Sequence, residues 1–282
     1  MFRYCGEYFD KETGTIYLRA RYYDPETGRF ITEDSYSGKD SDPLSLNLYI
    51  YVDNNPVNLF DPSGHIPTAM EAMNMANYIY SQSGTLSGGW NFDHAITGGD
   101  NMVMGVFYRV KKDGTTEYGL VDKGTTPTDI SDWKNDIQQP LGSSADMKAS
   151  IADAEEFVKN NSGSEITMVG HSKGGSEAAA NAVATNTNCI IFNPATVNLN
   201  AYRLDSSRYH ASMTAFIVKG EILNNTFGSV SKPIGKVVYL PNQHMTPWWV
   251  QGPARNALNV YNEIQNHLMP SVKSALKEAG YN

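Results

Sequence analysis

The chain has 282 residues, more than an average single domain, and this length predicts one large domain or two unequal ones. With 40% hydrophobic and only 18% charged residues, its composition is typical of a globular protein and not of a disordered one. The formal net charge of −8 argues against a nucleic-acid partner, because binding to a phosphate backbone needs clustered Lys and Arg.

Neither cysteine belongs to a metal-binding pattern, since Cys5 and Cys189 lie far apart. We expect both to be buried free thiols, and we expect neither a metal nor an organic cofactor. No apolar run approaches membrane-spanning length, and residues 1–5 lack the apolar core of a signal peptide. The sequence therefore predicts a chain without a transmembrane segment, which would meet lipid only at the membrane surface.

The first 65 residues contain an internal repeat with an offset of 14 positions (22 − 8 = 14). Residues 8–14 read YFDKETG and residues 22–28 read YYDPETG, with a β-prone run between them. Each E-T-G unit supplies a turn whose glycine can adopt a positive φ. The pattern predicts consecutive β-hairpins. Because so few residues cannot bury both faces of such a sheet, we expect them to complete a larger repeat sheet.

Several short motifs in residues 4–65 resemble the end of the Rhs/YD-repeat core. They are LRARYYDP (18–25), GRF (28–30), NLY (47–49), NNPVN (54–58) and DPSG (61–64). The resemblance implies that this segment closes a β-shell around a C-terminal toxin. The remainder of that shell and an immunity protein are the partners it implies.

The same resemblance implies that the shell cuts itself just after the Asp-Pro-x-Gly motif, on the carboxyl side of His65. The residues that match the family's arginine and two aspartates are Arg21, Asp34 and Asp61. Two carboxylates acting together must share a proton, which requires a sheltered site that raises one pKa. The alternative is that Arg21 and Asp34 form an ion pair within a hairpin and that Asp61 caps a turn.

Near residue 66 the hydrophobic pattern changes from a period of two to a helical period, with Pro67-Thr68 as a plausible helix cap. We interpret this change as the boundary between a first domain, residues 1–65, and a second, residues 66–282. The glycine- and serine-rich residues 81–99 are predicted to form a loop.

A hairpin is predicted next, with strands at residues 102–108 and 118–121. Its second strand runs into VDKGTT (121–126), and DWKNDI (132–137) follows. These two stretches resemble the class 3 lipase pattern, a Gly-Ser/Thr step after a strand and then a Trp-x-x-Asp helix. The resemblance implies that Thr125 donates to an oxyanion, with the backbone N–H of Lys173 as the second donor. The alternative is a Gly-Thr turn that caps the following helix.

Residues 166–182, ITMVGHSKGGSEAAANA, predict a strand, a sharp turn and a helix. A G-x-S-x-G in this context is the nucleophile elbow of α/β-hydrolases, so Ser172 is the predicted nucleophile. The alternative is a glycine-rich turn with an incidental serine. An amphipathic helix before this strand (143–160) and a continuous apolar strand after its helix (188–194) give the β–α–β rhythm of a hydrolase sheet.

A serine is too weakly acidic to attack an ester unaided, and it needs a base that is oriented by an acid. In α/β-hydrolases the chain order is Ser, acid, His. The class 3 lipase resemblance places the acid just after the strand at residues 213–218, where Glu221 stands, and Asp205 is the alternative.

The resemblance places the base near the start of the final helix, where His267 stands, and His244 is the alternative. His171 adjoins the nucleophile and His210 precedes the acid, so neither fits the expected order. Two adjacent tryptophans, Trp248 and Trp249, fall in a loop between acid and base, and they either pack in the core or touch a lipid interface.

The predicted fold class is therefore α/β, an α/β-hydrolase domain of the class 3 lipase type preceded by a short all-β Rhs-core fragment. The resemblance implies a serine hydrolase of carboxylic esters that acts on membrane lipids as a lipase or phospholipase. It also implies that the protein is made in the bacterial cytoplasm and exported as a toxin module. Two alternatives stay open: a non-catalytic Rhs fragment with a hydrolase-like binding domain, and a serine thioesterase or acyltransferase.

Overall fold

The computed structural model describes residues 8–18, 21–33, 47–51, 67–98, 102–111, 114–125, 144–227 and 234–281. The strands are β1 (Tyr8–Phe9), β2 (Ile16–Leu18), β3 (Arg21–Asp24), β4 (Arg29–Phe30), β5 (Asn91–Gly98), β6 (Met102–Val110), β7 (Thr116–Asp122), β8 (Glu165–His171), β9 (Asn188–Phe192), β10 (Met213–Val218) and β11 (Lys236–Leu240). The helices are α1 (Ala69–Ser81), α2 (Ala145–Asn160), α3 (Lys173–Thr185), α4 (Ile222–Phe227), α5 (Pro253–His267) and α6 (Met269–Glu278). None of the described helices is both long enough and apolar enough to span a bilayer.

The strands near the amino end form a four-stranded antiparallel sheet in the order β1-β2-β3-β4. One face is buried, because alternate side chains point to the same side of a strand. Its core consists of Ile16, Leu18, Tyr23, Phe30 and Tyr51. The predicted consecutive hairpins are confirmed by this sheet.

The remaining strands form one seven-stranded sheet in the order β11-β10-β9-β8-β7-β6-β5. The strands from β7 to β11 are parallel, and β5, β6 and β7 pair antiparallel. Parallel neighbours need crossover connections, and α2, α3 and α4 lie in the connections from β7 to β8, from β8 to β9 and from β10 to β11. A mainly parallel sheet of this kind, with a strand–turn–helix elbow at its centre, confirms the predicted α/β-hydrolase fold.

Both faces of the large sheet are covered by helices, so its central strands are apolar on both sides. Val169 of β8 packs on the face that α1 and α6 cover. Its neighbour Met168 packs on the opposite face, against α2 and α3. The carboxyl ends of the parallel strands lie at one edge of this layered core.

The prediction that residues 81–99 form a loop is wrong, because Asn91–Gly98 is the edge strand β5 paired with β6. Most side chains of β5 are exposed or half-buried, so the strand lacks the apolar signature that a buried strand carries. Its place in the sheet comes from backbone hydrogen bonds to β6, which the side-chain pattern of the sequence does not predict.

The prediction that His267 opens the terminal helix is also wrong: His267 is the last residue of α5, and α6 begins two residues later. Pro270 explains the break, because proline has no N–H with which to continue the helical hydrogen bonds. The carbonyl groups of Asn266 and His267 consequently accept hydrogen bonds from outside the helix.

Candidate active site

Ser172 occupies the sharp turn between β8 and α3, with φ 60° and ψ −127°. Such a conformation costs a non-glycine residue on the order of 1–3 kcal/mol and persists only where neighbouring contacts impose it. The Ser172 N–H donates to the Phe192 carbonyl (3.1 Å), and the Ser172 carbonyl accepts from the N–H groups of Gly175 (3.0 Å) and Ala195 (2.9 Å). Backbone hydrogen bonds to the end of β9 and to the first turn of α3 therefore fix the elbow.

The glycines around Ser172 are required by close backbone approach. A Cβ at Gly170 would lie 2.1 Å from the Gly174 carbonyl oxygen, and one at Gly174 would lie 2.2 Å from the Asp122 carbonyl oxygen. Both neighbours are backbone atoms that cannot rotate away. The close contact at Gly174 brings the end of β7 against the start of α3, which is where the predicted oxyanion donors lie.

The segment after β7 passes directly over the serine. A Cβ at Gly124 would lie 2.5 Å from the His171 carbonyl oxygen and 3.2 Å from the Ser172 Cβ. Thr125 is the next residue and is half-buried, and Lys173 opens α3, so its N–H belongs to the first turn of that helix. The four N–H groups of a first helical turn have no intrahelical acceptor and favour negative charge. Of the two predicted oxyanion donors, Lys173 therefore directly follows Ser172, and Thr125 directly follows Gly124, which lies against Ser172.

Glu221 and His267 form a buried pair in which the His267 Nδ1–H donates to Glu221 Oε2 at 2.8 Å. Glu221 Oε2 also accepts from the Leu223 N–H (2.9 Å), and Oε1 accepts from the Asn224 N–H. Both residues are 1% exposed, as is Ser172. In the tautomer that donates through Nδ1, Nε2 is the atom that can accept a proton.

His171 directly precedes Ser172 and contacts His267. Its Nε2–H donates to the His267 carbonyl (2.8 Å), and the Tyr80 hydroxyl donates to its Nδ1 (2.9 Å). The His171 and His267 rings are 4.9 Å apart. Burial, reinforced by His267, lowers the pKa of His171 to about 3, so its ring is neutral. The Ser172 hydroxyl is buried and has no hydrogen-bond partner within the described part of the chain.

Asn193 is a positioning residue that sequence reasoning missed. Its side-chain amide donates to the carbonyl groups of His267 (3.0 Å) and Asn266 (3.2 Å), and its Oδ1 accepts from the Val218 N–H (2.8 Å). The residue has a positive φ of 39° and directly follows β9. The polar Asn-Pro step that ends a continuous apolar strand was the signal that could have identified it.

Beneath the elbow lies a buried carboxyl cluster. Asp122 accepts from the Ser150 hydroxyl (2.8 Å) and the Asn181 amide (2.9 Å), and Lys173 Nζ lies 3.6 Å from Glu177 Oε1. Burial raises the pKa of Asp122 well above its usual range, and the charge of Glu177 adds to the rise. Burial also raises the pKa of Glu177 to about 7, although Lys173 opposes it.

The other sequence candidates lie elsewhere. His244 is exposed, and its Nε2 is 3.1 Å from the Ser271 hydroxyl. Asp205 is exposed and accepts from the Ser207 N–H (2.9 Å) and hydroxyl (2.7 Å) as the cap of a short 3₁₀ helix. The geometry therefore pairs Glu221 with His267 and neither alternative residue.

Of the proposed self-cleavage residues, only Arg21 is described. Its guanidinium lies 3.5 Å from the centre of the Phe30 ring, in the core of the small sheet. Asp34 and Asp61 lie outside the described residues, so both self-cleavage and the hairpin ion pair stay predictions. Cys189 is a buried free thiol as predicted, and Cys5 lies outside the described residues. Among the described side chains, no three His, Cys, Asp or Glu are grouped as a metal ion would need.

Comparison with proteins of known sequence gives short, strong similarities to much longer proteins. The tRNA nuclease WapA of Bacillus subtilis (strain 168) is 50% identical over 64 residues, which are 23% of this chain and 3% of WapA. The toxin protein Tse5 of Pseudomonas aeruginosa is 42% identical over 68 residues, which are 23% of this chain and 5% of Tse5. The chain thus spans only a few per cent of the length of these relatives.

Two lipases illustrate the similarity to solved structures. A triacylglycerol lipase from Penicillium expansum has a TM-score of 0.46 and 16% identity, covering 68% of this chain and 86% of the lipase. Lipase II from Rhizopus niveus has a TM-score of 0.45 and 12% identity, covering 71% of this chain and 89% of the lipase.

A family model described as "Phospholipase-like: Tle-like phospholipase domain" matches residues 86–237. The matched segment contains β5 to β10, the Ser172 elbow and Glu221, and it amounts to 152 of the 282 residues (237 − 86 + 1 = 152). The match therefore covers more than half of the sequence and includes the centre of the large sheet. This chain belongs to the family of Tle-like phospholipase domains.

Proposed function

We propose that the chain is a serine-dependent hydrolase of the acyl esters of membrane phospholipids. The observation that carries the proposal is the buried Glu221–His267 pair, with a 2.8 Å hydrogen bond. The His267 ring lies 4.9 Å from the ring of His171, the residue that directly precedes Ser172 in the strained elbow. The family match supports a lipase- or phospholipase-type ester hydrolase, and the three side chains supply the acid, the base and the nucleophile that such chemistry requires.

In the proposed reaction, His267 Nε2 takes the hydroxyl proton of Ser172 while Oγ forms a bond to the ester carbonyl carbon. Glu221 stabilises the imidazolium, and the N–H groups of Lys173 and Thr125 stabilise the oxyanion, each worth about 3 kcal/mol in the transition state. The C–O bond to the glycerol then breaks, and His267 returns the proton to the leaving alkoxide. Water, deprotonated by the same imidazole, hydrolyses the acyl-enzyme and releases the fatty acid.

The test is hydrolysis of a dissolved p-nitrophenyl ester and of phosphatidylcholine by the wild type and by Ser172→Ala. We expect Ser172→Ala to lower kcat by on the order of 10³-fold or more on both substrates. Ser81→Ala, at the exposed end of α1, is the matched control and should keep its activity. Equal activity of wild type and Ser172→Ala would overturn the proposal, and so would turnover of acyl thioesters without any turnover of phospholipid.

His267→Gln and His244→Gln form a second matched pair. Because only the His267 ring is bonded to a buried carboxylate, we expect loss of activity for His267→Gln and near-normal activity for His244→Gln. The opposite result would assign the base to His244.

We further propose that this hydrolase is the toxic end of an Rhs polymorphic toxin, made in the bacterial cytoplasm and then exported. The similarity to Tse5, a toxin protein, and the Rhs motifs of residues 18–64 support this role. Expression of the chain with an export signal in bacteria should arrest growth, whereas Ser172→Ala should not. Growth arrest that survives Ser172→Ala would contradict a toxicity based on ester hydrolysis. An immunity protein would be a binding partner that restores growth.

A further inference from the structure

The loop of residues 241–252, between β11 and α5, exposes three large apolar side chains. Trp248 is 82% exposed, Trp249 is 66% exposed and Met245 is 73% exposed. Tryptophan is usually well buried, as Trp90 is in this chain at 2% exposure. Core packing of the tryptophan pair is thereby ruled out, and the loop presents an apolar surface to its surroundings.

The loop holds these side chains on a fixed platform. The Arg255 guanidinium donates to the carbonyl groups of Val250 (2.9 Å) and Pro247 (3.5 Å), and the Val250 N–H donates to the Pro247 carbonyl (3.1 Å). The Asn262 amide donates to the Thr246 hydroxyl at 3.0 Å. A pre-ordered surface loses less conformational entropy when it binds, so this platform suits docking.

The same loop is anchored on the residue that precedes the proposed base. Asn266 Oδ1 accepts from the N–H groups of Gln243 (3.0 Å) and His244 (2.9 Å), and its amide donates to the His244 carbonyl (3.0 Å). Asn266 is buried and directly precedes His267. The exposed tryptophans are therefore tied to the same helix end as the acid–base pair.

The loop carries no charged residue, and this limits the kind of surface that it can contact. Residues 241–254 contain no Lys, Arg, Asp or Glu, and the whole chain carries a net charge of −8. A loop without fixed charge on an acidic protein has no attraction for an anionic surface. Indole rings, with an apolar body and an N–H, suit the boundary between headgroups and acyl chains.

We propose that the loop of residues 241–252 docks into the surface of a zwitterionic phospholipid bilayer through Trp248, Trp249 and Met245. Docking there would hold the active site at the interface that contains its substrate. This inference rests on the proposed phospholipid substrate, but binding can be measured without hydrolysis.

The experiment measures binding of the Ser172→Ala chain to phosphatidylcholine vesicles by co-sedimentation and by tryptophan fluorescence. We expect binding, with a blue shift of the emission, that weakens by on the order of tenfold or more when Trp248→Ala and Trp249→Ala are added. The matched control is Tyr17→Ala with Tyr22→Ala, which removes another exposed aromatic pair (39% and 38% exposed, rings 5.0 Å apart) from the small sheet and should not weaken binding.

A second experiment varies the salt concentration and the charge of the lipid. We expect vesicle binding to be nearly constant from about 0.05 to 0.5 M salt, because screening acts on charges and not on apolar burial. Binding that requires phosphatidylglycerol and disappears in high salt would overturn the proposal, and so would equal binding of the tryptophan variant.

Enzyme rates of the chain with Ser172 intact distinguish a loss of membrane docking from a general loss of folded structure. We expect the tryptophan substitutions to lower the ratio of the rate on vesicles to the rate on a dissolved ester by about tenfold. If both rates fell in the same proportion, the tryptophans would be structural and the proposal would be wrong. A chain that binds vesicles through the tryptophans but hydrolyses nothing would contradict only the proposed function.

Discussion

The Glu221 carboxylate accepts hydrogen bonds from two backbone N–H groups of α4 as well as from His267. These bonds keep one oxygen directed at the imidazole, so the residue is a positioned carboxylate in spite of its extra methylene relative to aspartate. Asp205, the alternative acid, is exposed and accepts its hydrogen bonds from the N–H and hydroxyl of Ser207.

We expect Glu221→Gln to lower kcat by about 10³- to 10⁴-fold, because an amide no longer favours the Nδ1–H tautomer or the imidazolium. The measurement is kcat on a dissolved ester, with a thermal melt to establish that the variant is folded. Glu263→Gln is the control, because Glu263 lies in the same helix as His267 but accepts its hydrogen bond from the Asn225 amide, at 3.1 Å. A folded Glu221→Gln with normal kcat would exclude Glu221 as the acid.

The raised pKa of Glu177 predicts how the stability of the folded chain depends on pH. Its pKa is raised from 4.5 to about 7 in the folded chain by burial. The folded state therefore binds more protons than the unfolded state between these values, so the free energy of unfolding falls as the pH rises through this window. Glu177→Gln should remove as much as about 3 kcal/mol of this fall. Melting temperatures from pH 5 to 8 test this, and the exposed Glu155→Gln should leave the slope unchanged. An unaltered slope in Glu177→Gln would show that the carboxyl is not the titrating group.

At the level of elements, the elbow depends on how closely β7, β8 and α3 approach one another. Gly174→Ala would place a methyl group 2.2 Å from the Asp122 carbonyl oxygen, and neither backbone can move without displacing the oxyanion segment. We expect a loss of several kcal/mol in unfolding free energy, or failure to fold, with loss of activity. Gly98→Ala is the comparison, because its Cβ would meet the end of the flexible Met102 side chain at 3.2 Å. Equal melting temperatures for the two variants would contradict the close-packed elbow.

The junction between α5 and α6 shows how one proline shapes the site. Since Pro270 cannot donate to the Asn266 carbonyl, that group accepts from Asn193, and the His267 carbonyl accepts from both Asn193 and His171. Three elements, β8, β9 and the end of α5, are thereby joined around the imidazole. The helix break allows His267, the proposed base, to be held by hydrogen bonds from the sheet.

At the level of the whole molecule, the predicted boundary near residue 66 separates the hydrophobic core of the small sheet from the two cores of the large sheet. The core of the small sheet shares none of its described residues with the two cores of the large sheet. We expect a chain that begins at residue 66 to fold and to keep its activity on a dissolved ester within about twofold, because burial of the large core does not draw on the small one. The measurements are the melting temperature and kcat, against the full chain. An insoluble or inactive shortened chain would contradict the two-domain division.

Features that arise from local chemistry could be predicted from the sequence. The elbow is specified within about ten residues, because its glycines, serine and flanking strand and helix must be contiguous. The β–α–β rhythm and the hairpin repeats are also local, and together with the class 3 lipase and Rhs resemblances they predicted both sheets apart from the edge strand β5. Glu221 and His267 could be proposed from chain order together with the class 3 lipase resemblance, but the contact between them could not.

Which histidine meets which carboxylate became visible only in the folded chain, because a 2.8 Å bond between residues 46 positions apart depends on the packing of α4 and α5 at the edge of the sheet. The fold also revealed β5, whose place comes from backbone pairing, and Asn193, whose role comes from carbonyl groups left open by a distant proline. The exposure of Trp248 and Trp249 likewise became visible only in the folded chain. Side-chain type predicts what a residue can do, whereas burial and contact, which are collective properties of the folded chain, decide whether it does so.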